Sequence, residues 1–520
     1  MNLTVLGRDE PMESKMTRRD LMRAAVGAGA AYMVSGWGRP EEAAAAEDPA
    51  SAALFRLPAS PFVEPELRRS SGGLLRTQLR VAYTNHQIGQ DRVYLRSYER
   101  SLVGPTLRFR AGDVVEVELI NQLPAEPTVH EHGNGPHELN TTNLHTHGLH
   151  VSPAGRSDNI FIEVPPGKGQ QYRFEIPKNH PAGTYYYHPH KHGSTAVQLG
   201  NGMGGVLIVE GGIDQVPAIK AARERVLVLQ QIPYHRKTGK VDWKEMLFED
   251  ARILTTVNGR LKPRIDLRPG EIQRWRLVHA GSRVPLDISL IDGKGNSLPL
   301  HQIAVDGIAT GRLEPLSSLE LGAGYRADVL VQVKTPGRYY LMSTEVVLRN
   351  LRPQRQVLAE VTGAGQTLAM GMPAESDLKG LAPYKTLAKV ANPGKQRVEL
   401  WLDGDVHMVD GHPFDPSLPP RKLKLGHVDE WTVAVVGKGI NIHPFHIHTN
   451  PFEVLAINGK RLEKPIWRDT ILVGSPTSIY ATKEVLFRTQ YRDFPGKSML
   501  HCHNAVHEDM GMMQVVEVVP

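Results

Sequence analysis

The chain has 520 residues, a net charge of +6, and 40% hydrophobic and 22% charged positions, the length of about three domains at roughly 150 residues each and the composition of a globular protein. The basic excess forms no Lys/Arg block or aromatic-basic stripe, so a nucleic-acid partner is not expected. A single cysteine excludes an internal disulfide framework, and no apolar run is long enough to predict a membrane span or anchor.

The first element in chain order reads as an export signal. Thr17-Arg18-Arg19-Asp20-Leu21-Met22-Arg23 resembles a twin-arginine motif. A weakly apolar run covers residues 24–37, and Ala43 to Ala46 offer small residues for cleavage. Residues 1–46 are therefore predicted to be a twin-arginine-type signal peptide, with the twin-arginine export machinery as partner and a periplasmic or secreted mature protein. An unpaired thiol in such a protein is a liability unless it is buried or held by metal.

Beyond the signal, short alternating runs such as residues 114–120 are separated by Gly/Pro turns, and long helical periodicity is scarce. This predicts an all-β chain of sandwiches. A diverged repeat supports three of them. Leu107-Arg108-Phe109-Arg110-Ala111-Gly112-Asp113-Val114 recurs as Ile265-Asp266-Leu267-Arg268-Pro269-Gly270-Glu271-Ile272, and more faintly as Lys422-Leu423-Lys424-Leu425-Gly426-His427-Val428. A second repeat follows Gly183, Gly337 and Gly496. Counting from each glycine, the fifth and seventh positions are His/His, Met/Thr and His/His, so the outer units carry the metal chemistry and the middle one has lost it. The predicted domains are 52–212, 213–375 and 376–520. Residues 363–395, rich in Gly, Pro, Ala and Lys, read as a linker.

Four histidine clusters stand out in chain order: His145-Thr146-His147, His188-Pro189-His190, His443-Pro444-Phe445-His446-Ile447-His448, and His501-Cys502-His503 with His507 and Met512. On a strand, both imidazoles of an H-x-H pair lie on one face. Among 23 histidines, about one such pair arises by chance, so a single pair is weak. His130-Glu131-His132 is read as that chance pair, on a solvated loop without a metal role, and His137, His150, His192, His407 and His412 are read likewise. The four clusters differ because two fall at matching positions of repeated units. A thiolate, imidazoles and a weak thioether make a blue-copper electron-transfer site, and Cys502 would face one metal while His501 and His503 face others.

Taken together, the four clusters resemble those of the multicopper oxidases, the family of laccases, bilirubin oxidases and bacterial copper-efflux oxidases. The resemblance covers nearly the whole mature chain and implies three cupredoxin-like Greek-key β-sandwich domains. It also implies copper as cofactor: a type 1 ion on His443, Cys502 and His507 with Met512 axial, a type 2 ion on His145 and His446, and a type 3 pair on His147, His188, His190, His448, His501 and His503. That makes four copper ions per chain. Many members have Trp between the first two histidines where this chain has Thr146, which is expected to alter packing and not metal. The resemblance makes dioxygen one partner and a small reducing substrate (a phenol, an aromatic amine or a metal ion) the other. Electrons would leave the type 1 site through Cys502, and Asp158 and Glu508 are the implied acids. Axial Met512 predicts a low-to-moderate potential. A laccase-like oxidase is the leading expectation. A cuprous or other metal-ion oxidase is the same-class alternative, for which Met370 and Met372 are too few to argue. A copper-free cell-envelope scaffold of the same fold is the alternative from another class.

Overall fold

A computed structural model describes residues 56–520 apart from 127–132, 236, 245–253, 348–351, 405, 437–441 and 475–482. The predicted signal and the His130/His132 pair lie outside the described residues. The chain is all-β as expected: six sheets hold nearly every regular residue. No helix among the described residues is long and apolar enough to cross a membrane.

The sheets pack as three sandwiches. In the first, a four-stranded sheet ordered Asp91–Tyr98, Leu74–Ile88, Val114–Asn121, Gly169–Glu175 faces a five-stranded sheet that ends on Gly205–Glu210, Gly183–His188 and His145–His147. The strand Val114–Asn121 shows why these residues form it. Val115, Val117 and Leu119 point inward and are buried, while the alternating glutamates are half-exposed. Each such buried aliphatic side chain contributes about 1.5–3 kcal/mol. On the outer face Glu116 pairs with Arg76 and Arg173.

The same topology occurs in each unit. A strand of one sheet (Thr106–Arg110, Pro263–Leu267 or Arg421–Lys424) runs into a turn and then a strand of the other sheet (Val114–Asn121, Ile272–His279 or Val428–Val436). Each of the latter pairs in parallel with an earlier strand: Leu74–Ile88, Arg223–Ile232 and Gly394–Asp403. The turns need a left-handed residue and have one, with φ of 89° at Gly112, 76° at Gly270 and 80° at Gly426. This is the structural content of the sequence repeat.

The middle sandwich is covered on two sides. Its strand Ile272–His279 is buried at every position. Trp275 and Leu277 enter the core, while Arg274 and Arg276 face the first unit; Asp328, on the neighbouring strand of the same sheet, accepts from both guanidiniums, and Asp214 pairs with both. Thr184 of the first unit donates to Asp328 at 2.7 Å and accepts from Arg276 at 2.8 Å. Buried ion pairs of this kind specify an arrangement more than they stabilise it. The segment read as a linker packs on both neighbours: Leu368 N donates to Pro269 O, and Leu387 N donates to Glu453 of the third unit.

In the first and third units the ladder register brings the histidine clusters together. His145 stands opposite His188, and His446 stands opposite His501 with Phe445 opposite Cys502.

Candidate metal centre

Cys502 ends the strand Gly496–Cys502, His443 begins the strand His443–Ile447, and His507 sits on the helix Ala505–Asp509. Asn504 caps that helix by accepting from Val506 N. Three donor atoms converge: Cys502 Sγ lies 3.5 Å from His443 Nδ1 and 3.6 Å from His507 Nδ1, and the two nitrogens are 3.3 Å apart. Met512 is fully buried in the same core, and its carbonyl accepts from Cys502 N at 3.0 Å. Burial pushes the Cys502 thiol up and the His443 imidazole down to about 3. A thiolate at this depth needs a bound cation, which deprotonates a coordinating thiol outright. Of the three donors, His443 and Cys502 are buried and His507 is partly exposed.

The eight remaining histidines form one buried group between the first and third units. His190 Nε2 and His448 Nε2 each lie 3.2 Å from His501 Nε2. The ring of His145 is 4.1 Å from that of His448, and the ring of His147 is 3.9 Å from that of His446. His503 meets His147 and His188 edge-on at 4.8 and 5.2 Å. Burial, added to by neighbouring imidazoles, drives His145, His147, His188, His448 and His503 well below the usual range. The rings are therefore neutral and able to donate lone pairs.

Six ring nitrogens in this group are buried without a hydrogen-bond partner: Nε2 of His145, His188 and His446, and Nδ1 of His147, His448 and His503. Buried polar atoms are nearly always paired, so such a concentration is the signature of a metal site. Imidazole suits several metals, but the neighbouring thiolate–imidazole–thioether set selects copper. The donors present fit that ion.

Acidic and hydroxyl groups hold the other face of these rings. Asp158, 2% exposed, lies with both oxygens 3.0 Å from His145 Nδ1 and accepts from Thr146 N at 2.7 Å. Glu508 Oε2 is 3.1 Å from His501 Nδ1, and its Oε1 is 3.5 Å from His190 Nδ1. Burial pushes both carboxyls up to about 7. Reading the sequence missed Asp469, Thr470, Tyr186 and Arg326. Asp469 Oδ1 and Thr470 Oγ1 lie 3.2 and 3.1 Å from His147 Nε2, and Tyr186 OH lies 2.9 Å from His503 Nε2. Tyr186 precedes His188 by two positions, so strand alternation could have found it. Asp469 could not be found that way, because it comes into place through the pairing of Thr470 with His446.

The solvated-loop reading fails for several histidines. His137, His150 and His407 are buried and His192 is half-buried. His150 bonds Thr449 O and Asp493 at 2.8 Å each, His137 and His192 pack edge-to-face at 5.3 Å, and the His407 ring lies 4.6 Å from that of His507. His150, and His192 with its ring 5.0 Å from Phe414, sit where the first unit meets the third, whereas His407 packs within the third. His412 is exposed. Met370 and Met372 pack against the middle unit, and Met370 Sδ accepts from Ile272 N.

Three models of the multicopper oxidase family match the chain, over residues 385–520, over 80–140 and 137–213, and over 234–362. Among curated proteins, the multicopper oxidase mco of Staphylococcus haemolyticus is 27% identical over 432 residues, 81% of this chain and 83% of that protein. A laccase of Neurospora crassa is 22% identical, covering 85% of this chain and 78% of its own. Among solved structures, a multicopper oxidase from Campylobacter jejuni, described as a metallo-oxidase, superposes with a TM-score of 0.71 at 22% identity, covering 91% of this chain and 97% of that one. A laccase from Pediococcus acidilactici gives 0.72 at 23% identity, covering 89% and 95%.

Proposed function

Because the chain belongs to the multicopper oxidase family, copper-dependent oxidoreductases built from cupredoxin-like β domains, we propose that it is a laccase-like oxidase that couples oxidation of a small phenol or aromatic amine to reduction of dioxygen to water. The observation that carries this reading is the complete donor set: a thiolate–imidazole triangle one residue away from eight clustered imidazoles. A copper-free scaffold would have no use for it.

In this reading His443, Cys502 and His507 would hold a type 1 copper, with Met512 as a further weak donor. His145 and His446 would hold a type 2 ion, and His147, His188, His190, His448, His501 and His503 would hold a type 3 pair, four in all. Copper so bound would pass single electrons from the substrate to dioxygen, four electrons and four protons giving two waters.

The chain's own residues do the rest. The partly exposed His507 offers the edge at which a donor docks. Cys502 is bonded through the backbone to His501 and His503, so the path from entry site to cluster is covalent. Glu508 reaches from the helix of His507 to the Nδ1 side of His190 and His501, and Asp158 occupies the Nδ1 side of His145. These are the acids placed to hand protons on. The surrounding sandwiches exclude bulk water from all eight imidazoles.

Met370 and Met372 pack against the middle unit and, among the described residues, form no cluster with further methionines there, which favours the laccase-like reading over a cuprous oxidase. The Campylobacter jejuni relative described as a metallo-oxidase keeps metal-ion substrates as the second reading. Residues 1–46 are proposed to direct twin-arginine export to the periplasm or outside; the Arg18-Arg19 pair supports it, and fractionation of cells carrying an Arg18→Lys, Arg19→Lys variant tests it.

The deciding experiment is an absorption spectrum with a copper count on copper-loaded protein, followed by oxygen uptake with a phenol and with Cu(I). An intense thiolate-to-copper band that vanishes in Cys502→Ser, with phenol-dependent oxygen uptake, supports the reading. A colourless protein with little copper refutes it.

A further inference from the structure

We propose that Asp469, clamped by Arg326 of the middle unit, is a positioning residue that sets which ring nitrogen His147 and His446 turn toward the metals, so that the middle unit takes part in the trinuclear site. The proposal rests on the function proposed above for the metal it invokes, but its geometry belongs to this chain alone.

Asp469 acts on two ligands from two different units. Its backbone carbonyl accepts from His446 Nδ1 at 2.7 Å, which leaves His446 Nε2 with its lone pair. Its side chain, together with Thr470, takes the Nε2–H of His147, which leaves His147 Nδ1 free. Those two atoms, His446 Nε2 and His147 Nδ1, are buried without partners. The two rings are stacked 3.9 Å apart, yet they are held in opposite tautomers. A ligating histidine is commonly oriented by giving its other N–H to a carboxylate or carbonyl. Here one residue does both.

Asp469 is not itself placed to be a ligand. Its Oδ1 accepts from Arg326 Nη1 at 2.9 Å and from Thr470 Oγ1 at 2.9 Å as well as facing His147, and Oδ2 accepts from Arg326 Nη2. A guanidinium against both oxygens repels a cation. Arg326 is in turn held by Gly324 O at 2.8 Å and Asp306 O at 2.9 Å, both in the middle unit. The first unit makes room for the pair. A Cβ on Gly148, the residue after His147, would lie 2.5 Å from Arg326 Nη2 and from Asp469 Oδ2, and its φ is +84°. Gly148, Arg326 and Asp469 come from three units and meet at one point, beside the histidines.

Asp469→Asn alone leaves a buried guanidinium short of a counter-charge and risks misfolding. The double variant Asp469→Asn, Arg326→Met removes both charges at similar volume and is the folding-safe test, with metal-free melting as the fold control. Two readouts are taken. In metal-free protein with 15N-labelled histidine, wild type is expected to show His147 as the Nε2–H tautomer and His446 as the Nδ1–H tautomer, with His147 losing that preference in the double variant. In copper-loaded protein, the double variant is expected to keep the blue thiolate band and to lose or shift the type 2 electron-paramagnetic signal, with copper content below wild type. His147 as the Nδ1–H tautomer in wild type, or a double variant with wild-type copper content and an unchanged type 2 signal, overturns the proposal. The tautomer readout needs no copper, so a chain that bound none would refute the oxidase reading and still leave this one decided.

Discussion

Glu508 Oε2 lies 3.1 Å from His501 Nδ1, so the helix that carries His507, proposed above as a type 1 ligand, also presents a carboxyl to the cluster beyond. Its second oxygen lies 3.5 Å from Nδ1 of His190 in the first unit. Such a group can supply protons to oxygen reduction without displacing a ligand. Glu508→Gln keeps the shape and removes the acid. Oxygen uptake at saturating substrate is expected to fall on the order of 100-fold, the size typical of a lost general acid. The blue band and the copper count should not change. Full turnover in Glu508→Gln would remove Glu508 from the proton path.

Met512 is wholly buried beside Cys502, its carbonyl fixed by Cys502 N and its N–H by His507 O. The backbone of residue 512 is thus held whatever its side chain. Met512→Leu should fold normally, keep the intense blue band, and raise the type 1 potential, because a weak axial thioether lowers it. A redox titration of the blue band checks this. An unchanged or lower potential would mean that the thioether is not a ligand.

The four histidine clusters were readable in the sequence because each H-x-H pair lies on a short strand or runs off its end, where alternation puts both imidazoles on one face, and the all-β class was readable from runs such as Val114–Asn121, whose inward valines and outward glutamates keep period two. Arg274 and Arg276 flank Trp275, and alternation alone puts them on the face opposite the core; that this face is buried depends on the first unit packing there. His150 looked like a surface histidine for the same reason: it bonds Thr449 and Asp493 of the third unit, and burial between units leaves no periodic trace. Asp469 and Arg326, 143 positions apart, meet only through the ladder pairing of Thr470 with His446 and the docking of the middle unit, neither of which is a local property of the chain.

Gly183 begins the strand that ends on His188, and it presses on the middle unit. A Cβ there would lie 1.7 Å from Gly307 O, a backbone atom that cannot rotate aside. Gly183→Ala should cost about 1–3 kcal/mol through overpacking and lower the melting temperature by several degrees, at roughly 2–4 °C per kcal/mol for domains of this size. Gly371 is the control, because an added Cβ there would meet nothing within 4 Å and its φ is ordinary. Gly371→Ala should be neutral or slightly stabilising. Equal melting of the two variants would show that the first and middle units are not in the contact described.

Asp214 ties acid stability to the same joint. Burial alone would raise its carboxyl, but the guanidiniums of Arg274 and Arg276 outweigh burial and hold it below the usual value of 3.8. A carboxyl whose folded value is depressed binds its proton less readily than in the unfolded chain, so its stabilisation is present in full above the unfolded value and is lost as pH falls through the folded one. The window therefore lies below about pH 4. Asp214→Asn cannot ionise, so it should melt lower than wild type at pH 7, with the gap narrowing as pH falls below 3.8 and the wild-type carboxyl takes up its proton. Melting curves of both proteins across that range, followed by circular dichroism, measure the gap directly. A gap that stays constant as pH falls would mean that Asp214 acts through shape and hydrogen bonding, and that Asp328, with Glu224 beside Arg276, balances the two guanidiniums alone.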